Sequence, residues 1–386
     1  MSSGQYLRIE TTGRKTGKHH QVLVRYIADK DRIVAFPQNA GKQDWVKNIE
    51  ANPEIKVYYN DSITSATGAV KEITGLNDPL LPIFTRKYGR STINRWYKGQ
   101  HLFVEIAVKK ELGSISYDEI IYGDLEAAFD SVAAHYDHHI FDNPINTWLR
   151  NVSIGTMVQM FKPGETVLEV GCGTGTETLS LARHGLRIIA TDISEKMLEV
   201  LSKKAARLNL SDRIIPVHCR PTELRAKLHD LGYEKVDGAY STYGAINTEP
   251  NLHSMIDNLH SVLKPSSLLL LGVWNKFCLY EMVGYLLRLN PSLAFARLRN
   301  PVPVGKSRFC VASNAFSVGD LNELVKNRFV LQRVLGVVVT LPPSNLTRYL
   351  PRGRGFGIAK KIDLDLGAGF PLNRLGDHFL GIYRRI

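Results

Sequence analysis

At roughly 150 residues per domain, 386 residues make two domains, and 44% hydrophobic with 22% charged residues excludes a disordered or low-complexity chain. The formal net charge of +12 suits an anionic cofactor, a nucleic acid or a membrane surface, and selects none of them. Cys172, Cys219, Cys278 and Cys310 lie far apart without CxxC or zinc spacing, which argues against a disulfide framework and suits a reducing cytoplasm. Met1 to Glu10 shows no signal-peptide pattern, and the longest apolar run, Leu268 to Trp274, is far below the ~18 residues of a membrane span. A cytoplasmic protein without a membrane span is expected.

Residues 1–112 read as β-rich. Val22, Val24 and Tyr26 alternate, followed by Ile33 and Ala35, by Ile55, Val57 and Tyr59, and by Leu102, Val104, Ile106 and Val108. Period two in short runs bounded by Gly and Asp predicts antiparallel strands, here of a small closed barrel. Helices are expected over Asp44–Ala51, stopped by Asn52-Pro53, and over Leu80–Tyr97.

From 113 to 386 helical stretches alternate with buried strands, the pattern of a doubly wound α/β domain. The expected strands are 167–170, 187–190, 214–219, 236–240 and 268–273. Met197, Leu201, Ala205 and Leu208 share one helical face, as do Leu252, Ile256, Leu259 and Leu263. A helix over Thr178–His184 closes at Gly185 as a left-handed cap.

That helix follows the run Val167-Leu168-Glu169-Val170-Gly171-Cys172-Gly173-Thr174-Gly175. The glycines let backbone approach a ligand, and the helix N-terminus offers amides. A pyrophosphate site would want a third glycine after two more residues, and a carboxylate beside the turn would repel phosphate. Glu169 instead suits an ammonium. Asp192 closes the next strand about 20 residues past the first glycine, where a carboxylate can take both ribose hydroxyls. Together these favour S-adenosylmethionine (SAM) over a dinucleotide.

The segment resembles motifs I and II of class I SAM-dependent methyltransferases, a Rossmann-like family. The likeness covers roughly 118–386, with Ala127 to Asp137 as lead-in, then Asp237 to Thr248 and Gly376 to Arg385. The resemblance implies that Glu169, Gly171, Gly173 and Gly175 line the methionine end, that Asp192 holds the ribose, and that Ile193 and Met197 flank the adenine. Two places depart from it. Arg220 stands where an acid usually meets the adenine amino group, leaving that contact to a backbone group or Glu223. Lys264-Pro265-Ser266-Ser267 replaces a glycine turn, a structural difference.

Methyl transfer mainly requires alignment. The acceptor is therefore sought at Ser241-Thr242-Tyr243-Gly244, which lacks the Asn/Asp-Pro-Pro-Tyr of amino-methylating enzymes. Tyr136 and Tyr243 are the candidate catalytic residues, with half-buried packing as the alternative for each. His135, His138 and His139 lack partners at metal spacing, so no metal is expected. Gly305-Lys306-Ser307 is a chance likeness to a phosphate loop, since position 300 is Asn300. The apolar stretch Leu279 to Leu289 around Arg288 reads as core or lid, or else as a substrate wall.

In the first domain Gly13-Arg14-Lys15-Thr16-Gly17-Lys18 reads as a tight cationic hairpin apt for a phosphate or polyglutamate tail. Residues 1–112 carry 18 basic and 11 acidic side chains, so +7 of the +12 lies there. Thr11 to Lys18 and Asp44 to Val57 resemble the deazaflavin-dependent nitroreductase family, a split β-barrel. The resemblance implies a deazaflavin coenzyme, or FMN, cradled by Arg14, Lys15 and Lys18 and by the turn Gln38–Lys42, with Trp45 and Asn48 on the next helix.

The expectation is methylation of a small molecule, with a quinone or polyphenol suiting both domains because reduction creates a phenol. Alternatively, the barrel is a regulatory or homodimerising piece. RNA methylation would rest on the net charge and on Arg348, Arg352, Arg354, Lys360 and Lys361, whose plainer reading is a solvated loop with Gly353, Gly355 and Gly357.

Overall fold

The computed structural model describes residues 6–29, 32–37, 43–59, 62–72, 80–88, 102–114, 117–299, 302, 313–351 and 353–386. The chain divides into two compact units, Met1–Ile120 and Ile121–Ile386.

The first unit is a closed antiparallel barrel. Its strands are β1 (Tyr6–Thr12), β2 (His19–Asp29), β3 (Arg32–Phe36), β4 (Glu54–Tyr59), β5 (Ser62–Glu72) and β6 (Leu102–Ser114), in the order β1-β2-β3-β6-β5-β4. Closure leaves no exposed sheet edge. The alternating positions do turn inward: Ile9, Val24, Tyr26, Ile55, Val57 and Val104 form one core. Val108 breaks the alternation and is exposed, where register shifts in the β5–β6 pairing re-aim the strand. The helix Asp44–Ala51 seals the barrel with Trp45, Val46 and Ile49. It approaches so closely that a Cβ at Gly68 would lie 2.9 Å from Ile49. A second helix spans Leu80–Tyr88, and Phe84 stacks on Phe36 at 4.0 Å. The expected continuation to Tyr97 lies outside the described residues.

The second unit is a seven-stranded sheet, β7 (Thr166–Val170), β8 (Arg187–Asp192), β9 (Ile214–His218), β10 (Val236–Ser241), β11 (Leu263–Trp274), β12 (Phe329–Val337) and β13 (His378–Arg385). Its order is β12-β13-β11-β10-β7-β8-β9, with β13 antiparallel to both neighbours. β7 and β10 run parallel, and the order in which successive strands are laid down reverses between them, which opens a crevice at their carboxyl ends. Two apolar cores flank the sheet, and β7 feeds both: Val167 joins one while Leu168 and Val170 join the other.

Several expected details shift. Leu208 caps its helix and is exposed, and Leu263 already belongs to β11. Ser266, in place of a family glycine, holds φ 62, the left-handed backbone a glycine would take without strain. Residues 354–367, read as a solvated loop, form a helix despite Gly355 and Gly357. Its buried Asp363 accepts backbone N–H groups from Val338 to Leu341, and Phe356, Ala359 and Leu364 pack on the core. Arg352, Cys310 and Gly305-Lys306-Ser307 lie outside the described residues.

Candidate active site

A cavity opens at the carboxyl ends of β7 and β10, at the crevice where small-molecule sites of such sheets lie. Of the residues singled out from sequence, Tyr136, Gly171, Gly173, Asp192, Ile193, Met197 and Tyr243 line it together.

The glycine loop is built for close approach. Gly171, Gly173 and Gly175 hold φ of 76°, 52° and 82°. Their reasons differ. A Cβ on Gly171 would lie 2.5 Å from Ala245, and one on Gly175 would lie 2.1 Å from Leu201, so both answer to packing. Gly173 faces the open cavity, with Tyr136 at 3.7 Å.

Asp192 ends β8 almost buried, and burial pushes its carboxyl above the ordinary value, against hydrogen bonds that pull it down. The N–H of Ser194 donates to Oδ1 at 2.8 Å and that of Gly173 to Oδ2 at 2.7 Å. A carboxylate has about four acceptor sites. With Ile193 also hydrogen-bonded to it, the carboxylate keeps acceptor capacity beyond its backbone partners, and it lines the cavity where a ribose diol could meet it.

Glu169 does not reach the cavity. It shares the face of β7 with Val167, and its carboxyl is buried against Thr178 and Tyr240, whose hydroxyl donates at 2.8 Å. Burial first, and the nearby Glu177 second, push it up to about 8. The group that meets the recess beside the glycine loop is Glu177, in the first turn of the helix Thr176–Arg183. That recess, about 280 Å³, is lined by Tyr136, Arg150, Thr174, Glu177, Thr242 and Tyr243 among others. Arg150 and Glu177 form a buried ion pair through Glu177 Oε2, while Oε1 is buried with no partner. An orphaned carboxylate oxygen beside a buried guanidinium fits the ammonium and carboxylate of an amino acid. The glycine cradle, Asp192 and this pair thus fit SAM. Sequence reasoning missed both residues. The signals were a lone cation on the apolar stripe Leu149, Val152 and Met157, and an acid where a phosphate site excludes one.

The helix Tyr117–Val132 supplies Tyr122, Leu125 and Phe129 to the cavity. Tyr122 donates to Glu249 and lies under the Arg220 guanidinium at 5.0 Å. Neither Arg220 nor Glu223 lines the cavity; Glu223 accepts the Arg220 N–H at 2.9 Å, and Cys219 and Pro221 form the wall there.

Tyr243 holds φ 49, an uncommon backbone for a bulky residue. Its hydroxyl donates to the Leu149 carbonyl, its ring meets His378 edge-on at 5.6 Å, and Arg150 lies over it at 5.3 Å. Burial raises the hydroxyls of both Tyr243 and Tyr136 above the ordinary tyrosine range. Leu279 to Leu289 forms no part of the cavity lining. His135 and His138 are exposed.

In the barrel, Arg14 is committed internally. Its guanidinium donates to Asp44 at 2.9 Å and to Asn48 at 3.1 Å, clamping the hairpin to the helix. Trp45 is core. Lys15 and Lys18 are exposed on the turn, where they suit an anionic tail, and Gln38–Lys42 lie outside the described residues.

Residues 167–266 match a family described as a methyltransferase domain, and residues 2–79 one described as "F420H(2)-dependent quinone reductase". A demethylmenaquinone methyltransferase of Clavibacter sepedonicus is 31% identical over 144 residues, 37% of this chain and 55% of that one. A ubiquinone biosynthesis O-methyltransferase of Coxiella burnetii is 29% identical over 138 residues, 34% and 56% of the two chains. The chain spans just over half the length of these relatives. A methyltransferase from Haloferax volcanii, solved with its Trm112 activator, aligns at TM-score 0.44 and 14% identity over 67% of this chain and 96% of that one. Among the described residues no helix is long and apolar enough to cross a membrane. The chain joins an N-terminal domain that matches the F420H(2)-dependent quinone reductase family to a C-terminal domain that matches the methyltransferase family.

Proposed function

We propose that this protein methylates a quinol. The observation that carries the reading is the coexistence in one chain of a quinone-reductase domain match and a SAM-shaped site. Relatives of the second domain are named for methyl transfer to quinone precursors. When bound, SAM supplies an activated methyl group. Asp192 would take the ribose, Arg150 and Glu177 the amino-acid end, and Gly173 the close backbone approach. Ile193 and Met197 would flank the adenine beside Cys219. Tyr243, Gly244, Ala245 and Thr248 would form the acceptor wall. Aligning the acceptor oxygen or ring carbon in a dry cavity is the principal contribution of such a site.

Tyr243 would act by position, because its hydroxyl is held by the Leu149 carbonyl and stays protonated. Tyr136, beside Gly173 and the recess, would close the cofactor end. In the barrel, Lys15 and Lys18 would meet the deazaflavin tail, and Arg14 would shape the hairpin. The test is methyl transfer from labelled SAM by the full chain to short-chain benzoquinols and naphthoquinols, reduced chemically or with reduced deazaflavin. A methylated quinol is expected. SAM binding without transfer to any of these would overturn the reading.

A further inference from the structure

The methyltransferase unit carries an apolar face that serves neither its core nor its cavity. The helix Leu279–Leu286 runs through a turn into a short helix, Pro291–Ala294, and a 3-10 turn ending at Leu298. Leu286, Leu287, Leu289, Leu293, Phe295 and Leu298 all stay exposed, Leu287 at 81% and Leu289 at 91%. Scattered exposed apolar residues need no explanation, but six of them between residues 286 and 298 do. Leu289 also holds φ 52, so a bulky apolar side chain stands at the tip of the turn in a backbone glycine would suit better.

The exposed charge along this segment has one sign. From Phe277 to Arg299 the only acid is Glu281, which is buried and ion-paired with Arg297. Arg288 and Arg299 remain exposed. Arg288 and Arg348 both lie against the half-exposed Tyr349 ring, at 5.0 and 4.8 Å. Leucines at the tip with arginines and a tyrosine behind them match the layering of an anionic lipid surface, acyl boundary outward and headgroups next.

We propose that Leu279–Leu298 docks the protein on an anionic bilayer, inserting Leu287 and Leu289. The proposal rests on the quinol reading only for its purpose, since a lipid-soluble quinone must be met at a membrane. Its test needs no acceptor, so the two can fail separately. The full chain is floated with vesicles of phosphatidylcholine alone and with added phosphatidylglycerol. Co-flotation with the anionic vesicles is expected, weakening as salt rises from about 0.1 M to about 1 M and the screening length falls from about 10 Å to about 3 Å.

L287D/L289D should reduce vesicle partitioning on the order of 100-fold, about tenfold per leucine. Its SAM affinity, read by calorimetry, should be unchanged. Equal flotation of the variant would show binding by general positive charge and overturn the proposal. So would wild-type protein that ignores both vesicles, or that forms a dimer abolished by L287D/L289D, which would make the face an interface with a second copy.

Discussion

Replacing Glu169 with glutamine tests whether its carboxyl is kept neutral by the fold. In the folded chain burial and the neighbouring Glu177 move it from 4.5 to about 8. The folded state therefore holds this proton more tightly than the unfolded chain does. That contribution is complete below about pH 4.5 and is lost as pH rises toward 8. One pK unit corresponds to about 1.4 kcal/mol, so between pH 5 and 7 the wild type should lose about 2–3 kcal/mol from this group. Glu169→Gln carries no titrating proton and keeps an acceptor for Thr178 or Tyr240. Urea unfolding of both proteins at pH 5, 6 and 7 isolates the term, because other groups cancel in the difference. The variant should gain on the wild type steadily across that range. Parallel pH profiles would refute the burial argument and put an ionised Glu169 in the fold.

Asp192→Ala should weaken SAM about 100-fold by calorimetry, through loss of two charge-assisted bonds; an unchanged Kd would remove Asp192 from the site. Arg150→Ala and Glu177→Gln should each weaken S-adenosylhomocysteine by about tenfold or more. Methylthioadenosine, which lacks the amino-acid end, should bind both variants like wild type; equal losses for the two ligands would indicate damage to the fold instead. Gly175→Ala should cost about 2–4 kcal/mol in denaturant unfolding, from left-handed backbone and the clash with Leu201. A cost under about 0.5 kcal/mol, the range of ordinary surface substitutions, would mean the loop simply shifts aside.

What the sequence discloses here is the part written in periods and turns. Period two along Val22–Tyr26 and Ile55–Val57 marks barrel strands, and the glycine spacing with Asp192 marks the cofactor loop. What it conceals depends on contacts between distant segments. Glu169 looks like a ligand because it precedes the glycines, yet strand alternation turns it toward Thr178 and Tyr240. Arg150 and Glu177 are 27 positions apart and meet only when two helices pack. Arg14 reads as an anion-binding cation until Asp44 and Asn48, 30 and 34 residues away, claim it. The helix 354–367 is invisible to propensity because Asp363 earns its place from a turn 22–25 residues upstream.

The outer wall of the cavity is pinned at three points along the lead-in segment. Tyr122 is bonded to Glu249, Asp130 receives the Ser194 hydroxyl at 2.6 Å, and Asp137 pairs with Lys204 at 2.6 Å and with Thr174. Ser194 follows Asp192, and Thr174 lies inside the glycine loop. The latches therefore fasten onto the same backbone that cradles the ligand. If these polar contacts must part before a molecule the size of the cofactor can leave, the motion is one of microseconds to milliseconds rather than a side-chain flicker. Such a wall ties the stability of the lead-in segment to the glycine loop, so that substitutions in either should loosen the other.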